Sequence, residues 1–262
     1  MTDSSPRRRP DPDNLYHYQP LRSPEMMNWL RQTILHNQIY FSSPASFNDP
    51  FDCTVSPSFD GTSEQKRSYI ERLAGLKFGS STSSKARALI ESAIADPKFF
   101  EKAYGSNQQK DIPTLGVYCL SERCDDILMW SHYADSHRGV SLILGGSQMY
   151  SDLALEPVYY PANNEYPNVN FFTSSMQEQV DAIILTKAKH WEYEREWRII
   201  DTTGPGLHEI QPEWLLGLIF GCAMPVAQVA EISQMASQRN SPLRLFRAEK
   251  KEREFALTIK PA

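Results

Sequence analysis

Cysteine is scarce in this sequence, and its spacing gives neither a metal site nor a disulfide framework. The 262 residues contain four cysteines, at positions 53, 119, 124 and 222. None of them forms a Cys-x-x-Cys pair, and His132 and His137 do not complete a zinc-binding spacing with the two central cysteines. We therefore expect reduced thiols, no bound metal and a cytoplasmic protein.

Long apolar segments and an excess of positive charge are also missing. No apolar run approaches the length of a membrane span, and the N-terminus lacks the apolar core of a signal peptide, so we expect no membrane association. Lysine and arginine number 27 against 32 aspartates and glutamates, which gives a net charge of -5. This balance argues against non-specific binding to a nucleic-acid backbone but still allows a local basic patch.

The signatures of several common enzyme classes are absent as well. The sequence has no internal repeat, no P-loop, no Gly-x-Gly-x-x-Gly and no Gly-x-Ser-x-Gly. The apolar content of 40% is nevertheless ample for a buried core, so 262 residues correspond to one large domain or two small ones.

The distribution of residue types divides the chain into an arm, a folded domain and an insertion. Residues 1–14 are polar and rich in proline, and such a segment cannot offset its ordering entropy. We predict a disordered arm over 1–14 and a single α+β domain over 15–262. Within this domain, residues 62–104 form a helical insertion, with helices predicted at Ser63–Leu76, Ser84–Ala95 and Pro97–Tyr104.

Hydrophobic periodicity predicts the elements on either side of the insertion. Strands are predicted at Leu15–Tyr18, Ile39–Phe41, Gly116–Leu120, Val140–Leu144, Glu156–Tyr160, Leu215–Gly221, Leu243–Ala248 and Glu254–Ile259, and helices at Pro24–His36, Met176–His190 and Val226–Gln238. The segment Phe47–Asp52 predicts a turn that buries Phe47 and Phe51 in the core, while Asn48 and Asp49 fit either a structural corner or the rim of a pocket.

The stretch from Gly116 to Leu144 concentrates unusual side chains. Between its two strands, Asp125 and Asp126 favour the start of a helix, and Gly139 is expected to end it. A tryptophan, a tyrosine and two histidines lie close together in this helical segment. We interpret this concentration as a place where a planar, polar group is held.

The stretch Trp191–Ile200 is the second chemically rich segment. If it is extended throughout, Glu192, Glu194, Glu196 and Arg198 point to one face. Several carboxylates on one face repel one another unless some reach solvent, a cation or a ligand. An exposed strand with Arg198 as counter-ion is the alternative interpretation.

Four motifs together resemble a widespread bacterial family of unknown function. They are Leu15-Tyr-His-Tyr18, Phe47-Asn-Asp-Pro-Phe-Asp52, Trp130-Ser-His-Tyr-Ala134 with Gly139, and Trp191-Glu-Tyr-Glu-Arg-Glu-Trp-Arg198. The motifs extend over most of the chain after the arm, and the set is distinctive. This resemblance implies no biochemical activity.

The sequence also resembles the ADP-ribosyltransferase superfamily, in particular its poly-ADP-ribose-polymerase and diphtheria-toxin-like branch. That branch has a His at the end of an early strand, a helix and a short strand, and then a strand, a short helix ending in Tyr and an apolar strand. A Glu that opens a late strand completes the pattern. The matching segments here are His17, Pro24–His36, Ile39–Phe41, Gly116–Leu120, Tyr133, Val140–Leu144 and Glu196.

This second resemblance implies a split pair of antiparallel sheets that clamp NAD, the substrate, in an interior cleft. His17 would bond a ribose hydroxyl, Tyr133 would stack on nicotinamide, and Glu196 would stabilise the oxocarbenium-like cation as nicotinamide leaves. The choice between Glu194 and Glu196 as the key carboxylate stays open. The remaining residues expected at the NAD site are Tyr16, Ser121, Arg138, which would reach the pyrophosphate, and Trp130, which replaces a Ser frequent in that branch.

Two functions are compatible with these features. One is an NAD-consuming enzyme that transfers ADP-ribose to a protein or nucleic-acid acceptor, or hydrolyses NAD, as a toxin or phage-defence effector. The other is a non-catalytic nucleotide-sensing or protein-interaction module of a bacterial defence or stress system. Convergence of His17, Tyr133 and Glu196 on one cleft would favour the enzyme. Burial of Glu196 in an ion pair with Arg198 or Arg195 would favour the module.

Overall fold

A computed structural model describes residues 11–96, 98–104, 114–146 and 148–262, and in these ranges the chain has a mixed α+β fold. The strands are β1 (Asn14–Gln19), β2 (Gln38–Phe41), β3 (Ser56–Ser58), β4 (Gly116–Ser121), β5 (Val140–Gly145), β6 (Glu156–Pro157), β7 (Asn168–Asn170), β8 (Glu196–Asp201), β9 (Gly206–Glu209), β10 (Leu215–Phe220), β11 (Arg244–Lys250) and β12 (Leu257–Pro261). The helices with both ends described are α1 (Pro24–His36), α2 (Ser63–Phe78), α3 (Ser84–Ala95), α4 (Ile127–Tyr133), α5 (Met149–Asp152), α6 (Met176–Ile184) and α7 (Val226–Ala236), and residues 99–104 are helical as well.

The predicted α+β class is confirmed, and so are most of the predicted elements. The helix α1 has the predicted bounds because Ser23 caps its first turn, accepting a hydrogen bond from the Met26 amide, and Asn37 ends it in a left-handed conformation. The ADP-ribosyltransferase-like arrangement of the sheets stays a prediction. Residues 1–10 of the predicted arm, and Pro97 of the third insertion helix, lie outside the described residues; Asn14 already belongs to β1.

Several predicted extents are wrong. The strands predicted at Glu156–Tyr160 and Glu254–Ile259 occupy Glu156–Pro157 and Leu257–Pro261. The helix that follows Asp126 ends at Tyr133 and does not continue to Gly139, and the helix predicted over Met176–His190 ends at Ile184. The segment Trp191–Ile200 is not extended throughout, because a 3-10 helix occupies Lys189–Glu194 and the strand begins only at Glu196.

The chain divides into two compact units. The first consists of the residues up to 43 together with 115–159 and 190–262, and the second of residues 44–114 and 160–189. The insertion helices α2 and α3 belong to the second unit. The single domain over 15–262 stays a prediction.

An eight-stranded mixed sheet forms the centre of the first unit. Its strand order is β12-β11-β10-β5-β1-β4-β8-β6, so β1 has a neighbour on either side. It pairs antiparallel with both β5 and β4, whereas β10 and β11 form a parallel pair. The interior position of β1 places its side chains on two faces of the sheet.

The two faces of this sheet have separate apolar cores. On the face that packs against α1 and α7, here called the α1 face, Leu15 of β1 lies in a cluster with Leu30 of α1. On the opposite face, here called the α4 face, Tyr18 lies in a cluster with Trp130 of α4. Residues that alternate along β1 therefore belong to different environments.

A strained turn joins α4 to β5. Asp135, Ser136 and His137 have φ values of 48°, 53° and 68°, a left-handed conformation that costs non-glycine residues roughly 1–2 kcal/mol each. Hydrogen bonds hold the turn in place: the His137 amide donates to the Trp130 carbonyl, and the His137 carbonyl accepts from the Ala223 amide. The loop after β10 thus supports a turn that local propensity disfavours.

The second unit is built on α2 and α3, which pack through Ile70, Ala74, Ala86 and Ile90, and on the short parallel pair of β3 and β7. The predicted burial of Phe51 is wrong: its side chain is 64% exposed and lines a shallow surface cleft. Asp49 is buried and its Oδ1 accepts from the Phe51 amide, so it acts as a structural corner.

Three compositional expectations can be compared with the described residues. None of their helices combines the length and the apolar composition that a membrane crossing would need. The same residues contain no group of three or more His, Cys, Asp or Glu side chains placed to hold a metal ion. The four cysteines are free thiols.

Substitution of Gly139 by Ala tests the packing after the left-handed turn. A methyl group there would overlap the Gln19 carbonyl oxygen and the Ala134 backbone, so we expect a loss of about 1–3 kcal/mol in the free energy of unfolding, measured by urea denaturation. The control is Gly75→Ala inside α2, where the nearest atom outside the helix's own backbone is the Ser81 amide nitrogen at 3.9 Å and a gain of about 0.5–1 kcal/mol is expected. Equal effects of the two substitutions would contradict the packing assignment.

Candidate functional site

Strand register brings three of the predicted site residues into one row. Tyr16 of β1 lies opposite Ser121 of β4, and Ser121 lies opposite Glu196 of β8. Cross-strand partners point to the same side of a sheet, so all three belong to the α4 face. This face also carries Tyr133, the last residue of α4.

Glu196 forms a two-pronged ion pair with Arg198, two residues further along the same strand. Arg198 Nε donates to Glu196 Oε1 at 2.8 Å, and Nη2 donates to Oε2 at 3.1 Å. The side chains are 0% exposed for Arg198 and 5% exposed for Glu196. Each oxygen of the carboxylate therefore receives a charge-assisted hydrogen bond inside the protein.

Tyr133 bonds the other buried carboxylate. Its Oη donates to Glu194 Oε1 at 2.7 Å, and the Glu194 residue is 2% exposed. The Ser121 hydroxyl donates to the Glu194 backbone carbonyl at 2.6 Å, which ties the end of the 3-10 helix to β4. The structure thus joins Tyr133 to Glu194, the carboxylate that sequence reasoning left as an alternative.

A residue with a left-handed backbone separates the two buried carboxylates, Glu194 and Glu196. Arg195 lies between them with a φ of 46°, a left-handed conformation that changes the chain direction before β8 begins. Its side chain turns outward and pairs with Glu122 at 2.5 Å. The two glutamates thus point inward and Arg195 outward, as the predicted alternation has it, although the backbone between the glutamates is not extended.

Trp130 and Tyr16 are packed into the α4 face. Trp130 is fully buried, its Nε1 donates to the Cys124 carbonyl at 2.8 Å, and its ring meets Tyr18 edge to face. Burial, and contact with the Cys124 thiol, raise the pKa of Tyr16 to about 12. Both aromatics therefore have partners that account for them within the core.

His17 lies on the α1 face, opposite to its neighbour Tyr16. Its Nδ1 bonds the Cys119 carbonyl at 2.8 Å, and its ring stacks on Tyr118 with the centroids 4.2 Å apart. Desolvation lowers its pKa to about 4, so the imidazole is neutral at pH 7. His17 is therefore not brought together with Tyr133 and Glu196.

Arg138 lies in the turn between α4 and β5, and its side chain is 55% exposed. It pairs with Asp135 at 3.3 Å within the same turn. This surface pair accounts for the position of the guanidinium without a pyrophosphate.

A family model described as "Protein of unknown function (DUF2971)" matches residues 129–199. The chain is similar to that family over this segment, which contains Tyr133, Glu194, Glu196 and Arg198. No curated protein and no solved structure matches the chain. The match agrees with the predicted resemblance to a family of unknown function.

Two residues in contact with predicted site residues have no predicted site role of their own. Arg198 is predicted only as the counter-ion on an exposed strand, and Tyr118 is not singled out. A tyrosine in an apolar strand does not by itself indicate a functional site, whereas the Glu-x-Glu-x-Arg spacing indicates a network of charged side chains.

The desolvated imidazole of His17 predicts a pH dependence of stability. Because its pKa falls from 6.5 in the unfolded chain to about 4 in the folded one, its contribution is complete above pH 6.5 and is lost as the pH falls towards 4. The slope is at most about 1.4 kcal/mol per pH unit. Urea unfolding between pH 7 and pH 4 should show a steeper loss for the natural protein than for His17→Gln, in which the amide can still donate to Cys119. Identical slopes would exclude His17 as the source.

Proposed function

We propose that the chain is a non-catalytic, ligand-sensing module in which the buried carboxylates of the family-matched segment stabilise the fold and do not cleave NAD. The observation that carries this proposal is the two-pronged Glu196–Arg198 pair. A carboxylate that stabilises an oxocarbenium-like cation must direct its charge at the ligand. Glu196 instead directs both oxygens at Arg198, which is wholly buried.

The separation of His17 from the carboxylates supports the same proposal. NAD cleavage on the predicted pattern requires His17, Tyr133 and Glu196 around one ligand. The α4 face carries Tyr133 and Glu196, whereas His17 stacks on Tyr118 across the sheet. One ligand cannot contact both faces of an interior strand.

A second candidate is the NAD-cleaving enzyme with Glu194 as its key carboxylate. The observation that favours it is the 2.7 Å hydrogen bond from Tyr133 Oη to Glu194 Oε1, which places an aromatic ring and a carboxylate together. NAD would then be the substrate, and a macromolecule or water would accept ADP-ribose.

Nicotinamide release from NAD by the purified protein separates the two candidates. We expect no release above the blank for the natural chain, since Glu196 is engaged by Arg198. Glu194→Gln and Glu196→Gln are assayed in parallel, after circular dichroism has established that each is folded. Release that disappears in a folded Glu194→Gln protein would establish the enzyme, and loss in a folded Glu196→Gln protein would overturn the structural role of the ion pair.

The ion pair also predicts a stability pattern. Glu196→Gln removes the negative charge that Nε and Nη2 of the Arg198 guanidinium reach, so we expect a loss of about 3–5 kcal/mol in the free energy of unfolding. The double variant Glu196→Gln with Arg198→Met removes both charges and should lose less than Glu196→Gln alone. Arg195→Gln is the control, because that side chain is 53% exposed and a change below about 1 kcal/mol is expected. Urea denaturation measures all three, and a double variant no better than Glu196→Gln would contradict a structural pair.

A further inference from the structure

A histidine at the loop between β8 and β9 contacts two oxygen atoms. Nδ1 of His208, in β9, lies 3.0 Å from Oδ2 of Asp201, the last residue of β8. Nε2 of the same ring lies 3.1 Å from the carbonyl oxygen of Gly204, inside the loop. Both ring nitrogens of one side chain are therefore directed at groups that can accept a hydrogen bond.

The first of these groups, the Asp201 carboxylate, has no proton to donate. Its Oδ1 accepts two hydrogen bonds from Thr203, one from the hydroxyl and one from the backbone amide, both at 2.6 Å. The bond from the Thr203 hydroxyl is the largest cause that lowers the pKa of Asp201, so its carboxyl group is ionised at neutral pH. An ionised carboxylate only accepts, so Nδ1 of His208 must carry a hydrogen.

The second group, the Gly204 carbonyl, also only accepts. Nε2 of His208 must therefore carry a hydrogen as well. The loop packs closely against β4 at this point, because a methyl group added to Gly116 would overlap the Gly204 carbonyl oxygen. An imidazole with a hydrogen on each nitrogen is an imidazolium cation.

The other neighbours of His208 are compatible with a positive charge. The ring of Phe41, in β2, lies with its centroid 4.4 Å from that of the imidazole, and an aromatic ring within about 6 Å attracts a cation. Behind Phe41 lies Tyr118, whose pKa is raised by burial, so this phenol stays uncharged. Glu209, the next residue of β9, points away from His208 and is exposed. Among the described residues, Asp201 thus supplies the charge that faces the imidazole.

We propose that His208 is a protonation-dependent clasp, which holds the loop between β8 and β9 by both hydrogen bonds only while the imidazole is doubly protonated. The clasp connects two sheets, since Asp201 ends a strand of the main sheet whereas β9 pairs with β2. A neutral imidazole has a single N–H and can keep only one of the two bonds. This device goes beyond the proposed function and does not depend on it.

The clasp gives stability a pH dependence opposite to that of His17. The folded state holds a proton that the unfolded chain releases, so the contribution of His208 is complete at low pH and is lost as the pH rises. The contribution of His17 is instead lost as the pH falls towards 4. The two histidines therefore act in different directions and can be told apart.

Nuclear magnetic resonance of protein with ¹⁵N-labelled histidine measures the protonation of His208 directly. Histidine in the urea-unfolded chain is mostly neutral at about pH 7.5, which provides the reference. We expect folded His208 to carry a hydrogen on both ring nitrogens at that pH, and His208→Gln identifies its signals by their loss. A folded protein in which His208 is neutral at about pH 7.5 overturns the proposal.

The variant Asp201→Asn tests the source of the charge. It keeps an acceptor oxygen and the size of the side chain but removes the negative charge, so His208 should be neutral at about pH 7.5. The control is Asp96→Asn, which removes a carboxylate from an exposed pair with Lys102 in the second unit and should leave His208 doubly protonated. A doubly protonated His208 in folded Asp201→Asn would contradict the role of Asp201.

Hydrogen exchange tests whether protonation holds the loop in place. The Ile210 amide, directly after β9, donates to the Asn37 carbonyl, and the Gly221 amide donates to the Gly139 carbonyl elsewhere in the first unit. After correction for the intrinsic exchange rate, protection of Ile210 should fall about 2–10-fold as His208 loses its second proton, as expected for one lost hydrogen bond. Gly221 should change less, and His208→Gln should show no such step. Protection of Ile210 that is independent of pH in the natural protein overturns the clasp.

Discussion

The strict alternation of side chains along β1 is the constraint on which the rest of the first unit depends. This strand lies inside the main sheet, and every residue on it must face either α1 or α4. Tyr16 therefore joins Ser121 and Glu196, whereas His17 joins Tyr118. Because Tyr16 and His17 are adjacent in β1, they point to opposite faces, and the polar groups around them form two sets on the two sides of the sheet.

The polar groups on the two faces of the sheet differ in charge and in hydrogen bonding. The α4 face buries two carboxylates and satisfies them internally, Glu196 through Arg198 and Glu194 through Tyr133. The α1 face holds a neutral imidazole, and its buried Tyr118 hydroxyl has no hydrogen-bond partner among the described residues. Internally paired charge on the α4 face favours a structural role for its carboxylates.

Local signals explain what the sequence could predict. The helix α1 was predicted with its bounds because Ser23, Pro24 and Asn37 act on neighbouring backbone groups. The site could be predicted only in part, because Tyr16, Ser121 and Glu196 meet through strand pairings that are distant in sequence. The left-handed backbone at Arg195 has no counterpart in residue type, so the change from a 3-10 helix to a strand between Glu194 and Glu196 could not be predicted.

The left-handed turn of Asp135–His137 has a consequence for any attempt to isolate the family-matched segment. The turn is held by amides of Gly221 and Ala223, which bond the carbonyls of Gly139 and His137, and these donors lie beyond residue 199. The strand partners β1, β4 and β10 also lie outside the matched range. An excised fragment of residues 129–199 would thus lack both the strands that pair with it and the backbone amides that hold its left-handed turn. The family-matched segment is part of a larger fold, and we expect that residues 129–199 do not fold by themselves.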